Sequence, residues 1–151
     1  MARWKRGEAE VETLIAAGDL QKLTGAAANG ARLLKKAVVT LETARSVVER
    51  DPDSAYVLAY DAARQALTAL LAHQGLRPTT RGGHYAVEKA AQAQFGPGLR
   101  TFGALRRRRN ELEYPERPGD EATSEEAAEA VQHVQAIITA AQGLLDQLGH
   151  F

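Results

Sequence analysis

The chain has 151 residues, of which 44% are hydrophobic and 25% charged, a composition that suits a folded domain and excludes a disordered or collagen-like chain. Nineteen Lys and Arg balance nineteen Asp and Glu, so net field draws the molecule to neither nucleic acid nor an anionic membrane, and any such binding must be local. With no cysteine, disulfide frameworks, thiolate metal ligation and thiol nucleophiles are excluded.

Aromatic residues are only 5% while alanine is abundant, which favours tightly packed helices over a β-sandwich. The amino-terminal run MARWKRGEAEVE is charged and has no apolar stretch, so no signal peptide is expected. The longest uncharged run, Ala130 to Leu145, is interrupted by Gln132, His133, Gln135 and Gln142 and is too short and polar to span a bilayer. A cytoplasmic protein without a membrane segment is the expectation.

Helical periodicity dominates from end to end, and no alternating run supports a sheet, so the predicted fold is all-α. A short helix runs from about Glu8 to Ala17 and stops at Gly18. Asn29-Gly30 precedes a long helix over about Ala31 to Arg50 with Leu34, Val38, Leu41, Ala44 and Val48 on one face. Asp51-Pro52 closes it, and Asp53 or Ser54 can cap the next helix, whose stripe is Tyr56, Tyr60, Ala63, Leu67 and Leu70 until Gly75 and Pro78. The segment LRPTTRGGH reads as a connection, followed by a helix over about His84 to Phe95 and a break at Gly96-Pro97-Gly98. The next helix, Leu99 to Tyr114, ends because the residue before Pro115 is pushed out of the α region. Polar ERPGDEATSEE leads to a last helix capped by Thr123 or Ser124, with Ala127, Val131, Val134, Ile138, Ala141, Leu145 and Leu148 inward. The expected architecture is one domain over 1–151, an up-and-down bundle of four long helices (30–149) preceded by a short helix and connection (1–29).

Charge on the wrong face singles out the tetra-arginine helix. With Phe102 at the origin of a helical wheel and about 100° per residue, Leu105 and Leu112 fall on one side of an apolar stripe and Leu99 on the other. Arg109 lands between them and Glu113 shares its face, whereas Arg107 and Glu111 point away and Tyr114 is off centre. A lone buried charge is costly, so Arg109 and Glu113 must be paired, hydrated in a cleft or placed at a subunit interface. The plainer alternative is structural: Arg107–Glu111 and Arg109–Glu113 are i,i+4 pairs worth a few tenths of a kcal/mol, near a helix C-terminus that favours cations.

The run AYDAARQALTALLAHQG, the Gly82-Gly83-His84 turn and ALRRRRNELEYP resemble the HEPN family of small helical-bundle proteins, over roughly Ala31 to Leu148. In that family an Arg, often followed by Asn, precedes a His by a few residues, two protomers join at this motif, and active members cleave RNA without metal. The resemblance implies that Arg109 contacts phosphate with Asn110 as its companion, that Arg106 and Arg108 assist, and that the partners are a second copy of the chain, RNA or a nucleotide. It further implies a toxin–antitoxin or defence role, and Tyr114 stands near where a nucleotidyltransferase-type antitoxin modifies some members. No cofactor is implied.

The expected histidine is missing: after Arg109 the chain reads Asn110, Glu111, Leu112, Glu113, Tyr114, Pro115. Either Glu113 or Tyr114 takes its place. Tyrosine, with a pKa of about 10, is a poor base near neutrality, and an arginine-flanked Glu is a weak base that repels phosphate. The catalytic candidates are thus Arg109, Asn110, Glu113 and Tyr114, in a ribonuclease expected to be weak or inactive; the alternative is a non-catalytic dimerisation or scaffold bundle. His73, His84, His133 and His150 have no metal-like spacing. His84 can face the Arg109 cleft and supply the missing base. The RGGH turn can also receive an anion on helix N-terminal amides beside Arg81, although its glycines better suit a simple helix-entry loop.

Overall fold

The computed structural model describes residues 2–96 and 99–151. Its helices are α1 (Glu8–Ala16), α2 (Ala31–Ser46), α3 (Pro52–His73), α4 (Gly83–Phe95), α5 (Arg100–Glu113) and α6 (Ser124–Leu145), so the all-α expectation holds. Of the expected Gly96-Pro97-Gly98 break, Gly96 terminates α4 with φ 81°, and Pro97 and Gly98 lie outside the described residues.

The architecture follows from α3. Its alanines at 55, 59, 62, 63, 66 and 69 are all fully buried, and small side chains around the cylinder let neighbouring helices approach from several directions at once. α2, α6, α5 and α4 each pack on α3, while α1 packs on α4. Tyr56, Tyr60, Leu67 and Leu70 fill the interior as the stripe predicts, with Leu71 added. From α5, Phe102 is fully buried and Leu105 and Leu112 nearly so. Each such leucine or phenylalanine contributes on the order of 1.5–3 kcal/mol.

Several boundaries differ from the sequence reading. The second helix ends at Ser46 rather than Arg50, its Oγ bonding back to the Thr43 carbonyl at 2.7 Å. The cap of α3 is Asp51, one residue ahead of Pro52: its carboxylate accepts from the Ser54 amide at 3.1 Å and the Ser54 hydroxyl at 2.6 Å. Pro52 then sits at the first helical position, where its missing N–H has no consequence. Asp53 instead accepts from the Ala122 amide at 2.7 Å, tying the acidic stretch to the start of α3. α3 stops at His73, ahead of the expected Gly75. Thr123 caps α6, accepting from the Glu126 amide at 3.1 Å.

Two three-residue strands were not expected. β1 (Leu20–Lys22) and β2 (Leu76–Pro78) pair antiparallel, Leu20 opposite Pro78, so part of LRPTTRGGH is strand rather than loop. Strands this short cannot display a period-2 pattern. Their pairing positions α4, because Thr79 then bonds through its amide to the Asp19 carbonyl at 3.0 Å and through its hydroxyl to the Gly18 carbonyl at 2.7 Å. Among the described residues, no helix is long and apolar enough to cross a membrane.

Candidate functional site

The site grows from Tyr60, at the middle of α3. Its ring is fully buried and stacks on Phe102 of α5, centroids 5.4 Å apart and planes within 8°. Its hydroxyl lies 3.0 Å from Nδ1 of His84 in the first turn of α4. Arg64 follows Tyr60 by four residues and therefore shares its face. Arg109 of α5 closes the group, its guanidinium carbon 5.7 Å from the Tyr60 ring centroid, a separation at which a cation is attracted to the π face.

The wheel argument is met by Arg109, which is half-buried and paired, but not by Glu113, which is exposed because it lies at the last residue of α5, where the helix runs out past the packed seam. Arg109 retains 23% of its side-chain exposure and bonds Glu113 at 3.0 Å, and it donates to the Asn110 side-chain oxygen at 3.2 Å. Arg109, Asn110 and Glu113 stand together. Tyr114, 72% exposed, borders two hollows: one with Asn110, Glu111, Arg117 and Asp120, and one with Asp53, Val57, Leu112 and Glu113.

The other arginines of the run part company. Arg106 turns toward α4, its Nε 2.8 Å from Glu88. Arg108 turns toward α6, with two bonds to Glu126 at 2.9 and 3.0 Å, one to Glu111 at 2.9 Å and one to the Glu121 carbonyl at 3.4 Å. The Glu126 hydrogen bonds, foremost, raise the Arg108 pKa further above its ordinary value. The acidic stretch therefore lies across the basic helix on the Arg108 side. Among the described residues the expected Arg107–Glu111 pair does not form; Arg108–Glu111, spaced i,i+3, forms instead.

Four buried side-chain polar atoms lack a hydrogen-bond partner among the described residues: Nε of Arg64, Arg106 and Arg109, and Oε1 of Gln65. Arg106 Nε is close to Glu88 but its N–H is not aimed at that carboxylate. Buried donors are nearly always satisfied, so the orphaned Nε–H groups of Arg64 and Arg109 beside one tyrosine mark a place short of acceptors, whereas Arg106 Nε has the Glu88 carboxylate 2.8 Å away. Burial raises the Tyr60 phenol above its ordinary pKa while Arg64, Arg109 and Arg106 pull it down. Burial first, then Arg64, Arg109 and Arg106, push His84 below the ordinary histidine value, opposed by Asp61.

Two of the RGGH amides are already engaged. Gly82 N–H donates to the Thr79 hydroxyl at 3.0 Å and Gly83 N–H to the Thr79 carbonyl at 2.9 Å, and Arg81 lies 3.7 Å from Asp19. His84 is the part of that turn that joins the arginine cluster. Tyr60 and Arg64 were missing from the sequence-derived site: Tyr60 read as core, which it also is, and Arg64 is one helical turn beyond it. Among the described residues no group of three His, Asp or Glu side chains is placed to hold a metal ion.

A bundle of packed helices with an arginine-lined junction between its third, fourth and fifth members defines a small helical domain with a local cationic site on a neutral molecule. The chain belongs to the HEPN family: the HEPN domain model matches residues 31–144, from the first residue of α2 to the last turn of α6. Comparison with curated proteins and with solved structures gives no match.

Proposed function

We propose that this chain is a HEPN protein directed at RNA or a nucleotide, binding a phosphate group through Arg109 with Arg106 beside it, and weak or inactive as a metal-independent ribonuclease. The observation that carries the reading is the set of buried guanidinium N–H groups without acceptors around Tyr60, because phosphate oxygens are the acceptors that arginine forks fit best. Weak cleavage is supported by the state of Glu113, which is engaged as the acceptor of Arg109, and by the exposed Tyr114, neither of which suits proton abstraction near neutrality. Arg108 acts in this reading as a clasp between α5 and α6. Homodimerisation through α5 and a nucleotidyltransferase-type antitoxin partner, as in toxin–antitoxin relatives of the family, belong to the same proposal.

The test is incubation of purified protein with mixed single-stranded RNA in EDTA. Binding that weakens at least tenfold in Arg109→Ala, with little or no cleavage, is the expected result. Absence of both binding and cleavage refutes it. A second reading, a non-catalytic dimerisation bundle, is favoured by the ion pairing of Arg106, Arg108 and Arg109 within the chain. It predicts that Arg109→Ala alters the mass measured by light scattering while no RNA is bound at all.

A further inference from the structure

We infer that His84 is a titrating ligand of this site: its imidazole takes up a proton when a phosphate group enters the cleft, so that RNA binding strengthens as pH falls. The inference rests on the phosphate-directed reading above and adds to it a residue outside the arginine motif.

Three structural facts converge. First, His84 is held by a rigid support: its Nδ1 lies 3.0 Å from the hydroxyl of Tyr60, and Tyr60 is itself immobilised by burial and by stacking on Phe102. With Nδ1 engaged, Nε2 is the ring nitrogen left without a protein hydrogen bond among the described residues. Second, His84 enters at the α3–α4–α5 junction, where the Nε–H groups of Arg64 and Arg109 lack acceptors. Third, the charge around the ring is one-sided. α3 supplies Arg64 and Asp61, α5 supplies Arg106 and Arg109, and Glu88 on α4 itself is taken by Arg106. Arg81, three residues before, lies by Asp19 in the turn between α1 and β1.

Partial burial, then three cations against one carboxylate, hold the imidazole below the ordinary histidine value and so neutral near pH 7. A phosphate oxygen among the arginines reverses the local field and offers Nε2–H an acceptor, which favours the imidazolium. The pKa therefore rises on binding, and linkage requires binding to tighten with falling pH between the free and bound values. A phosphodiester does not itself titrate between about pH 5 and 8, where histidine does, so an RNA without a terminal phosphate assigns the proton to the protein.

The experiment is fluorescence anisotropy of a 5′-hydroxyl oligouridylate at constant ionic strength, from about pH 5.5 to 8. Wild type is expected to bind more tightly as pH falls, by up to about tenfold per pH unit at the steepest. His84→Asn flattens that slope, and His84→Lys is flat as well but tight throughout, since its charge is permanent. Arg109→Ala weakens binding at every pH. Identical slopes in wild type and His84→Asn overturn the inference and leave the phosphate-directed reading standing. No binding by wild type at any pH overturns both. A thermal melt of each variant verifies that it is folded under the binding conditions.

Discussion

Replacing Gly82 with alanine tests how the turn that delivers His84 is built. Gly82 has φ −72° and ψ −43°, a backbone that any residue adopts, and it immediately precedes a helix. From local propensity alone, Gly→Ala there stabilises by about 0.4–1 kcal/mol by restricting the unfolded chain. The tertiary structure reverses the sign. A Cβ at Gly82 falls 2.1 Å from the Asp19 carbonyl oxygen and 2.7 Å from its carbon, where ordinary contact begins at 3.4 Å. The obstacle is backbone, so the two segments must part by roughly 1.3 Å. That displaces the Thr79–Asp19 and Thr79–Gly18 bonds. Overpacking of this kind costs about 1–3 kcal/mol, a fall of about 2–10 °C in Tm for a chain of this size. Gly143, inside α6 with nothing within 4 Å of its Cβ position, is the control and should gain about 0.5–1 kcal/mol as alanine. Urea and thermal unfolding of both variants measure the contrast. A Gly82→Ala protein as stable as wild type, or more so, refutes the reasoning.

Arg108→Ala removes the paired bonds to Glu126 and leaves that carboxylate unpartnered at the start of α6; with both groups partly exposed, about 1–2 kcal/mol should be lost, against under about 0.5 kcal/mol for Arg107→Ala, read as urea midpoints. Phe102→Ala should destabilise by about 3–5 kcal/mol, because the ring is fully buried and supports Tyr60, and the same variant should lose the pH dependence of RNA binding. For His84 the native pKa is below the unfolded value, so below neutrality the unfolded chain binds the extra proton. This residue's contribution to stability is accordingly full above the unfolded pKa and declines as pH falls toward the native one. Histidine NMR titration should place the His84 midpoint below that of an unperturbed histidine, and His84→Asn should flatten the corresponding part of the stability–pH curve.

The amino-acid sequence by itself determined the helices, since a 3.6-residue apolar rhythm and turn residues are local properties. It also determined that Arg109 cannot lie in plain solvent, because the positions of Phe102, Leu105 and Leu112 fix the face on which residue 109 falls. Whether that guanidinium would be paired, hydrated or shared between subunits depended on contacts the wheel does not contain. The strand pairing of Leu20–Lys22 with Leu76–Pro78, the capture of Arg108 by Glu126 and the meeting of His84 with Tyr60 each join separate elements, and only packing brings those elements together. Arg64 illustrates the limit: on its own helix it is an ordinary surface arginine, and it becomes part of a cationic junction only when α4 and α5 close over Tyr60. Periodicity tells which side of each helix is apolar. The choice of neighbour, and hence the electrostatic setting of every polar group at the seam, is decided by the assembled bundle.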